Sequence, residues 1–106
     1  MAEGQKQVRI RINDRAEKAT YVNAFRTETQ ADEFMLEVGM NTSVQNVQGD
    51  ENVAGEIRFD IENRLVMSPY TAKRLAITLG NYVRDHEEKF GELKLNAQDR
   101  LVENAK

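Results

Sequence analysis

The chain contains no cysteine and only one histidine, His86. Without cysteine it forms no disulfide, iron–sulfur cluster or cysteine-ligated zinc site. Small secreted domains often depend on disulfides, so their absence favours a reducing compartment, and we expect a cytoplasmic protein. A lone histidine cannot form a two-histidine metal site within one chain, and the position of His86 at the border of an apolar helical stripe predicts a packing role.

Long apolar runs and a basic surplus are also missing. No segment approaches the roughly 20 apolar residues of a membrane-spanning helix. Residues 1–6 are polar and lack the apolar stretch of a signal peptide. The formal net charge is −3, which argues against general nucleic-acid binding. We therefore expect no membrane partner and no general affinity for nucleic acid.

No pattern of residues indicates an active site. The scattered glycines fit no phosphate-binding fingerprint. Ser43 has no candidate base near it in the pattern, and the carboxylates show no arrangement that promises acid–base catalysis. The sequence thus predicts no catalytic, cofactor-binding or metal-binding residues and a protein that is not an enzyme. A pocket with converging carboxylates and His86 would revive the enzyme alternative.

The length of 106 residues suits a single domain, residues 1–106. Apolar residues make up 40% and charged residues 31%, which is typical of a globular chain rather than a disordered one. We expect an ordered core over about 7–93. Residues 1–6, the irregular polar stretch 41–55 and residues 94–106 are the segments expected to be flexible.

Alternating apolar and polar residues predict about four strands, at residues 7–12, 20–27, 32–40 and 56–67. In the first, Val8, Ile10 and Ile12 alternate with Arg9 and Arg11. In the last, the apolar residues fall on odd positions, which fits one long strand or one broken near Glu62 and Asn63. The short link between the second and third strands predicts a hairpin.

A long helix is predicted over residues 69–90. Ser68 is a typical N-cap, Pro69 suits the first helical position, and Gly91 is a natural C-terminal stop. One side of the helix carries an apolar stripe, formed by Ala72, Leu75, Ala76, Leu79, Val83, His86 and Phe90. The predicted fold class is therefore α+β, an antiparallel sheet of about four strands followed by one long C-terminal helix on one sheet face.

Apolar residues also lie outside the expected core. Val22 and Met35 lie on the second face of the sheet, and Tyr70 and Ile77 lie seven residues apart on the helix side away from the stripe. Together they predict a surface that meets another protein or a second copy of the chain. The alternative is a nucleic-acid-associated accessory protein whose sheet arginines touch phosphate, namely Arg9, Arg11, Arg26, Arg58 and Arg64. Cross-strand pairing with Glu37, Asp60 and Glu62 is the plainer explanation of these arginines.

Several short motifs resemble a small prokaryotic family known only as a domain of unknown function, the one numbered 3467. The matching residues are Tyr21, Asn23, Glu33, Phe34, Leu36, Gly39, Arg64, Val66, Met67, Ser68, Pro69, Ala72, Lys73, Leu75, Asn81, Glu87, Phe90 and Gly91. The resemblance implies a fold and no activity. A more distant similarity is to the export chaperone SecB, based on the order of sheet and helix and on Pro69, Tyr70, Ala72 and Arg74 at the helix start.

The function predicted from these features is a non-enzymatic protein-binding or assembly module without a cofactor. We expect a homo-oligomer or a complex with another protein, and a chaperone-like form would bind peptides at an open sheet edge.

Overall fold

The computed structural model describes residues 6–45, 52 and 55–102. Within these ranges the chain forms three strands, one long helix and a short 3-10 helix at Ala97–Arg100. The elements follow in the order β1 (Ala24–Thr29), β2 (Phe34–Gln45), β3 (Gly55–Met67) and α1 (Pro69–Phe90). The sheet is antiparallel with the order β1-β2-β3. The α+β fold class is confirmed, with three strands instead of four.

The first predicted strand, residues 7–12, is wrong for this structure. These residues pair with no strand in the described part of the chain, and Val8, Ile10 and Ile12 are 90%, 85% and 87% exposed. An alternating pattern indicates a segment that can bury one face against a sheet. The pattern does not specify which strand the segment pairs with, and here it pairs with no strand in the described part of the chain.

The other strand boundaries shift by a few residues. The second predicted strand, 20–27, begins at Ala24, and the third, 32–40, continues to Gln45. Part of the stretch 41–55 predicted as irregular is therefore β2. Residues 46–51 and 53–54 of that stretch lie outside the described residues, as do 1–5 and 103–106 of the predicted flexible ends.

The helix prediction is confirmed at both ends. The Ser68 hydroxyl accepts a hydrogen bond from the backbone N–H of Thr71 at 3.2 Å, and Pro69 occupies the first turn. Gly91 ends the helix with a positive φ of 94°, which glycine adopts at no steric cost. No helix among the described residues is long and apolar enough to cross a membrane.

A β-bulge divides the pairing of β2 with β3. Val38 lies opposite Asn63, whereas the next residue, Gly39, lies opposite Ile61, so Glu62 is an extra residue on β3. A Cβ atom built on Gly39 would overlap the backbone carbonyl oxygen of Asp60. The close approach of the two strands therefore requires glycine at position 39.

The bulge also divides the odd-numbered apolar residues of β3 between the two faces of the sheet. Side chains of directly paired residues lie on the same face. Leu65 and Met67 pair with Leu36 and Phe34 on one face, which we call the groove face. Beyond the bulge, three residues pair with Gly39, Asn41 and Ser43 on the opposite face, namely Ile61, Phe59 and Ile57. We call this opposite face, which also carries Glu37, the Glu37 face.

The described part of the chain has no buried hydrophobic side chain. The chain exposes 10577 Å², whereas a folded monomer of its mass would expose about 6,000 Å². Its radius of gyration is 21.0 Å and its extents are 75 × 41 × 32 Å, compared with a radius of about 13 Å for a compact domain of this length. The fold thus has strands and a helix but no closed core.

We expect Gly39→Ala to destabilise the sheet by about 1–3 kcal/mol or more, because the added methyl group overlaps backbone that cannot move without breaking the ladder. Gly80→Ala is the matched control. Gly80 lies within α1, and an added Cβ there meets no atom within 4 Å. It should stabilise the helix by up to about 1 kcal/mol. Urea denaturation at one fixed protein concentration measures both changes, and equal midpoints for the two variants would contradict the assignment.

Candidate functional site

Glu37 lies in the middle of a row of charged residues across all three strands. It is directly opposite Arg26 of β1 and Arg64 of β3. The Nε atom of Arg26 donates to Oε1 of Glu37 at 2.7 Å, and the Nε atom of Arg64 donates to Oε2 at 2.7 Å. The Glu37 side chain is only 2% exposed, whereas both arginines remain largely open to solvent. One carboxylate therefore ties the three strands together.

The two arginines keep this carboxylate ionised. The hydrogen bond from Arg26 lowers the pKa of Glu37, the hydrogen bond from Arg64 lowers it further, and burial opposes both effects. The same hydrogen bond raises the pKa of Arg26. A carboxylate whose two oxygens are both occupied by arginines is poorly placed to accept a proton from a substrate. The arrangement therefore serves to fix the strand register.

Two of the sheet arginines show the cross-strand pairing expected from the sequence, because Arg26 and Arg64 share Glu37. Arg58 instead lies 3.4 Å from a carboxylate oxygen of Asp60 on its own strand. Arg9 and Arg11 lie outside the sheet, on the unpaired segment. The five arginines therefore do not form one basic surface.

An open apolar groove runs between α1 and the groove face of the sheet. It has a volume of about 570 Å³. Its lining includes Phe25, Thr27, Thr29, Gln30, Glu33, Phe34 and Leu36 from the hairpin, and Pro69, Ala72, Lys73, Leu75, Ala76 and Leu79 from the helix. The helix covers the sheet so sparsely that this side of the molecule remains open instead of forming a core.

The second half of α1 extends the apolar stripe beyond the groove. Phe90 is exposed there and Val83 is partly exposed. The ring of His86 lies 4.9 Å from the ring of Phe90 and 6.1 Å from that of Tyr82, measured between centroids. Its Nδ1 atom is buried with no hydrogen-bond partner among the described residues. His86 thus contacts aromatic neighbours on its own helix.

The four predicted interface residues do not form one surface. Tyr70 and Ile77 are 75% and 56% exposed on the side of α1 away from the groove. Met35 lies beside Val66 on the Glu37 face, and Val22 precedes β1. The structure therefore brings Met35 and Val66 together but separates them from the helix pair.

Sequence reasoning missed the groove as a surface. It identified the apolar stripe of α1 and expected the helix to lie on one face of the sheet, within an ordered core. The signal that could have revealed the opening is the small size of Ala72 and Ala76, which lie where the helix faces the sheet.

Comparison with known proteins identifies one family. The family described as "Protein of unknown function (DUF3467)" matches residues 1–95. The match covers most of the chain, so the chain belongs to this family. No curated protein and no solved structure matches it. Membership thus brings no activity with it, and the similarity to SecB stays an expectation based on the order of the elements.

Glu37→Gln is expected to lower the melting temperature and to remove an acid-dependent loss of stability. Because the pKa of Glu37 is lowered in the folded state, its stabilising effect is fully present above the ordinary pKa of glutamate. It is lost as the pH falls through the lowered value. The wild-type protein should therefore lose stability over this acidic range more steeply than Glu37→Gln does.

Glu88→Gln is the matched control, because it removes the same charge from an exposed position of α1. It should leave the pH dependence of the melting temperature close to that of the wild type. Thermal melts followed by circular dichroism at a series of acidic pH values test both variants. Parallel profiles for wild type and Glu37→Gln would rule out the role assigned to Glu37.

Proposed function

We propose that this member of the DUF3467 family is a non-enzymatic assembly module that self-associates and uses apolar surface to bind protein. The observation that carries the proposal is the absence of any buried hydrophobic side chain in the described part of the chain. Burial of apolar surface is the dominant favourable term in folding. A folded form of this chain therefore needs apolar contacts that come from another molecule.

The exposed apolar side chains favour a large contact. They include Phe25 (72% exposed), Ile57 (71%), Tyr70 (75%) and Phe90 (75%). Permanent assemblies bury interfaces with the character of a domain core cut in half. These side chains therefore support a permanent assembly over a transient encounter, and a second copy is the partner always present in equal amount.

Two kinds of surface are available for assembly. The open groove would be filled by apolar side chains from a neighbouring copy, which would complete the core that α1 leaves unfinished. Tyr70 and Ile77 would contact another subunit on the outer side of the helix. Met35 would do so on the Glu37 face, and Val22 would do so next to the start of β1. Charged residues around these surfaces would set the register and disfavour wrong partners.

A chaperone-like activity is the peptide-binding form of the same proposal. A groove lined by Phe25, Phe34 and Leu36 on one side and by Leu75 and Leu79 on the other suits an apolar stretch of an extended peptide. The similarity to SecB in element order points the same way, although fold alone does not fix function. The cytoplasm is the compartment we propose for this activity.

The nucleic-acid alternative receives less support from the geometry. Arg26 and Arg64 are both hydrogen-bonded to one carboxylate, and Arg58 lies beside Asp60. Phosphate binding by these arginines would compete with existing ion pairs. Salt-dependent binding to single- or double-stranded nucleic acid at low ionic strength would be the sign of this alternative.

Light scattering coupled to size exclusion tests the proposal. We expect a mass that stays at a multiple of 12.1 kDa on dilution. Tyr70→Glu with Ile77→Glu should lower that mass, because two charges would have to be buried in a subunit contact. A wild-type mass of one chain at every concentration would contradict self-association.

Thr71→Glu with Thr78→Glu is the matched control for the helix variant. It introduces two charges at the same seven-residue spacing on exposed positions of α1, about a quarter turn from Tyr70 and Ile77. It should leave the mass unchanged. If both double variants have the mass of the wild type, the outer side of α1 is not a subunit contact. The mass of the wild type still tests self-association in that case.

A further inference from the structure

Residues 7–12, which we call the N-terminal segment, have the alternating pattern of a strand but pair with no strand in the described part of the chain. Three branched apolar side chains alternate with Arg9 and Arg11, and all of them are exposed. The two arginines form no ion pair with the described residues. The apolar side chains of such a segment contribute no burial while they are exposed to solvent. Adding the segment to a sheet edge would therefore stabilise it.

The outer edge of β3 is available for such an addition. β3 pairs with β2 only, so the backbone groups on its other side have no strand partner in the described sheet. β3 is also the longest strand, with 13 residues. Open edges of this length are templates for pairing with another chain, and natural proteins usually cover or pair them.

The side chains of β3 are complementary to those of the N-terminal segment. Around the bulge, apolar Phe59 and Ile61 alternate with acidic Asp60 and Glu62. An antiparallel register that places Arg11 opposite Asp60, which also lies 3.4 Å from Arg58, brings Arg9 to Glu62, the extra residue of the bulge. The same register sets Ile12 beside Phe59 and Ile10 beside Ile61 on the Glu37 face. Opposite charges and apolar pairs both stabilise cross-strand neighbours.

The outer edge of β1 is shorter. β1 has six residues, whereas β3 has 13. The side chains of β1 on the Glu37 face are Ala24, Arg26 and Glu28, so arginines of the N-terminal segment on this face would meet one like charge and one opposite charge. Charge does not separate the two edges, and the greater length of β3 favours its edge.

The position of β3 in the sheet favours a second copy over the same chain. The N-terminal segment leads into β1, which lies at the edge opposite β3. To reach the outer edge of its own β3, the chain would have to cross the full width of the sheet within residues 13–23. Consecutive elements are usually neighbours in space, and the N-terminal segment and β3 would not be. A segment from another copy reaches the same edge without any crossing.

We propose that the N-terminal segment of each copy adds as a fourth strand to the outer edge of β3 in a second copy, with Arg9 and Arg11 paired to Glu62 and Asp60. This inference rests on the proposed self-association and names its partner and its register. A reciprocal exchange of two segments forms a closed two-fold dimer. The exchange places Ile10 and Ile12 beside Ile61 and Phe59, and it covers both exposed β3 edges.

Charge-swapped variants test the exchange. One variant carries Arg9→Glu with Arg11→Glu, and the other carries Asp60→Lys with Glu62→Lys. Each variant alone opposes like charges at the proposed contact, so its dimer should dissociate at least about tenfold more readily than the wild type. In a mixture both contacts regain opposite charges, so native mass spectrometry should detect a heterodimer with the affinity of the wild type. Lys6→Glu with Arg15→Glu is the control outside the segment and should change nothing.

The outcomes separate the inference from the proposed function. If the wild type assembles and each charge variant assembles as well as the wild type does, the exchange is wrong and self-association stands. If mixing restores nothing but the four substitutions combined in one chain restore assembly, the segment pairs within its own chain and the exchange is wrong. A wild-type protein that is a monomer at all concentrations overturns both. Circular dichroism of each variant and of the mixture verifies that strand and helix content is retained.

Discussion

The apolar side chains of this protein have too little of their own chain to pack against. A sheet and a helix bury their apolar faces only where one covers the other. Here α1 contacts the sheet sparsely and leaves a groove of about 570 Å³ beside Phe34 and Leu36. This lack of covering surface within one chain leaves three features exposed. They are the N-terminal segment, the outer edge of β3 and the groove. Each is a surface that association with another chain could bury.

The register of the sheet is set by contacts within one chain. Glu37 bonds to Arg26 and Arg64 on the two neighbouring strands, and a slip of one residue would break both contacts. Gly39 allows β2 to approach the backbone of Asp60, which sets the position of the bulge. These two residues decide which apolar side chains face the groove and which face the opposite side. The surfaces offered to a partner are therefore defined by contacts within each chain.

The helix could be predicted from sequence because its signals are local. Ser68, Pro69 and Gly91 determine its ends through contacts within one turn. The hairpin of β1 and β2 follows from a short connection and alternating residues. The division of the β3 residues between two faces could not be predicted, because Glu62 becomes a bulge only through its pairing with β2. The pairing of residues 7–12 depends on which edge receives them, and the alternation that predicts a strand does not specify that edge. For the same reason, the predicted residues Val22, Met35, Tyr70 and Ile77 remain candidate contacts.

The most direct test of a fold completed by association is the dependence of unfolding on protein concentration. Urea denaturation followed by circular dichroism at 222 nm would be measured over a hundredfold concentration range. For a dimer without a stable folded monomer, each tenfold increase should add about 1.4 kcal/mol to the apparent stability and move the midpoint to higher urea. A midpoint that does not change with concentration, at a native mass of one chain, would show that the single chain is stable alone and would contradict the account.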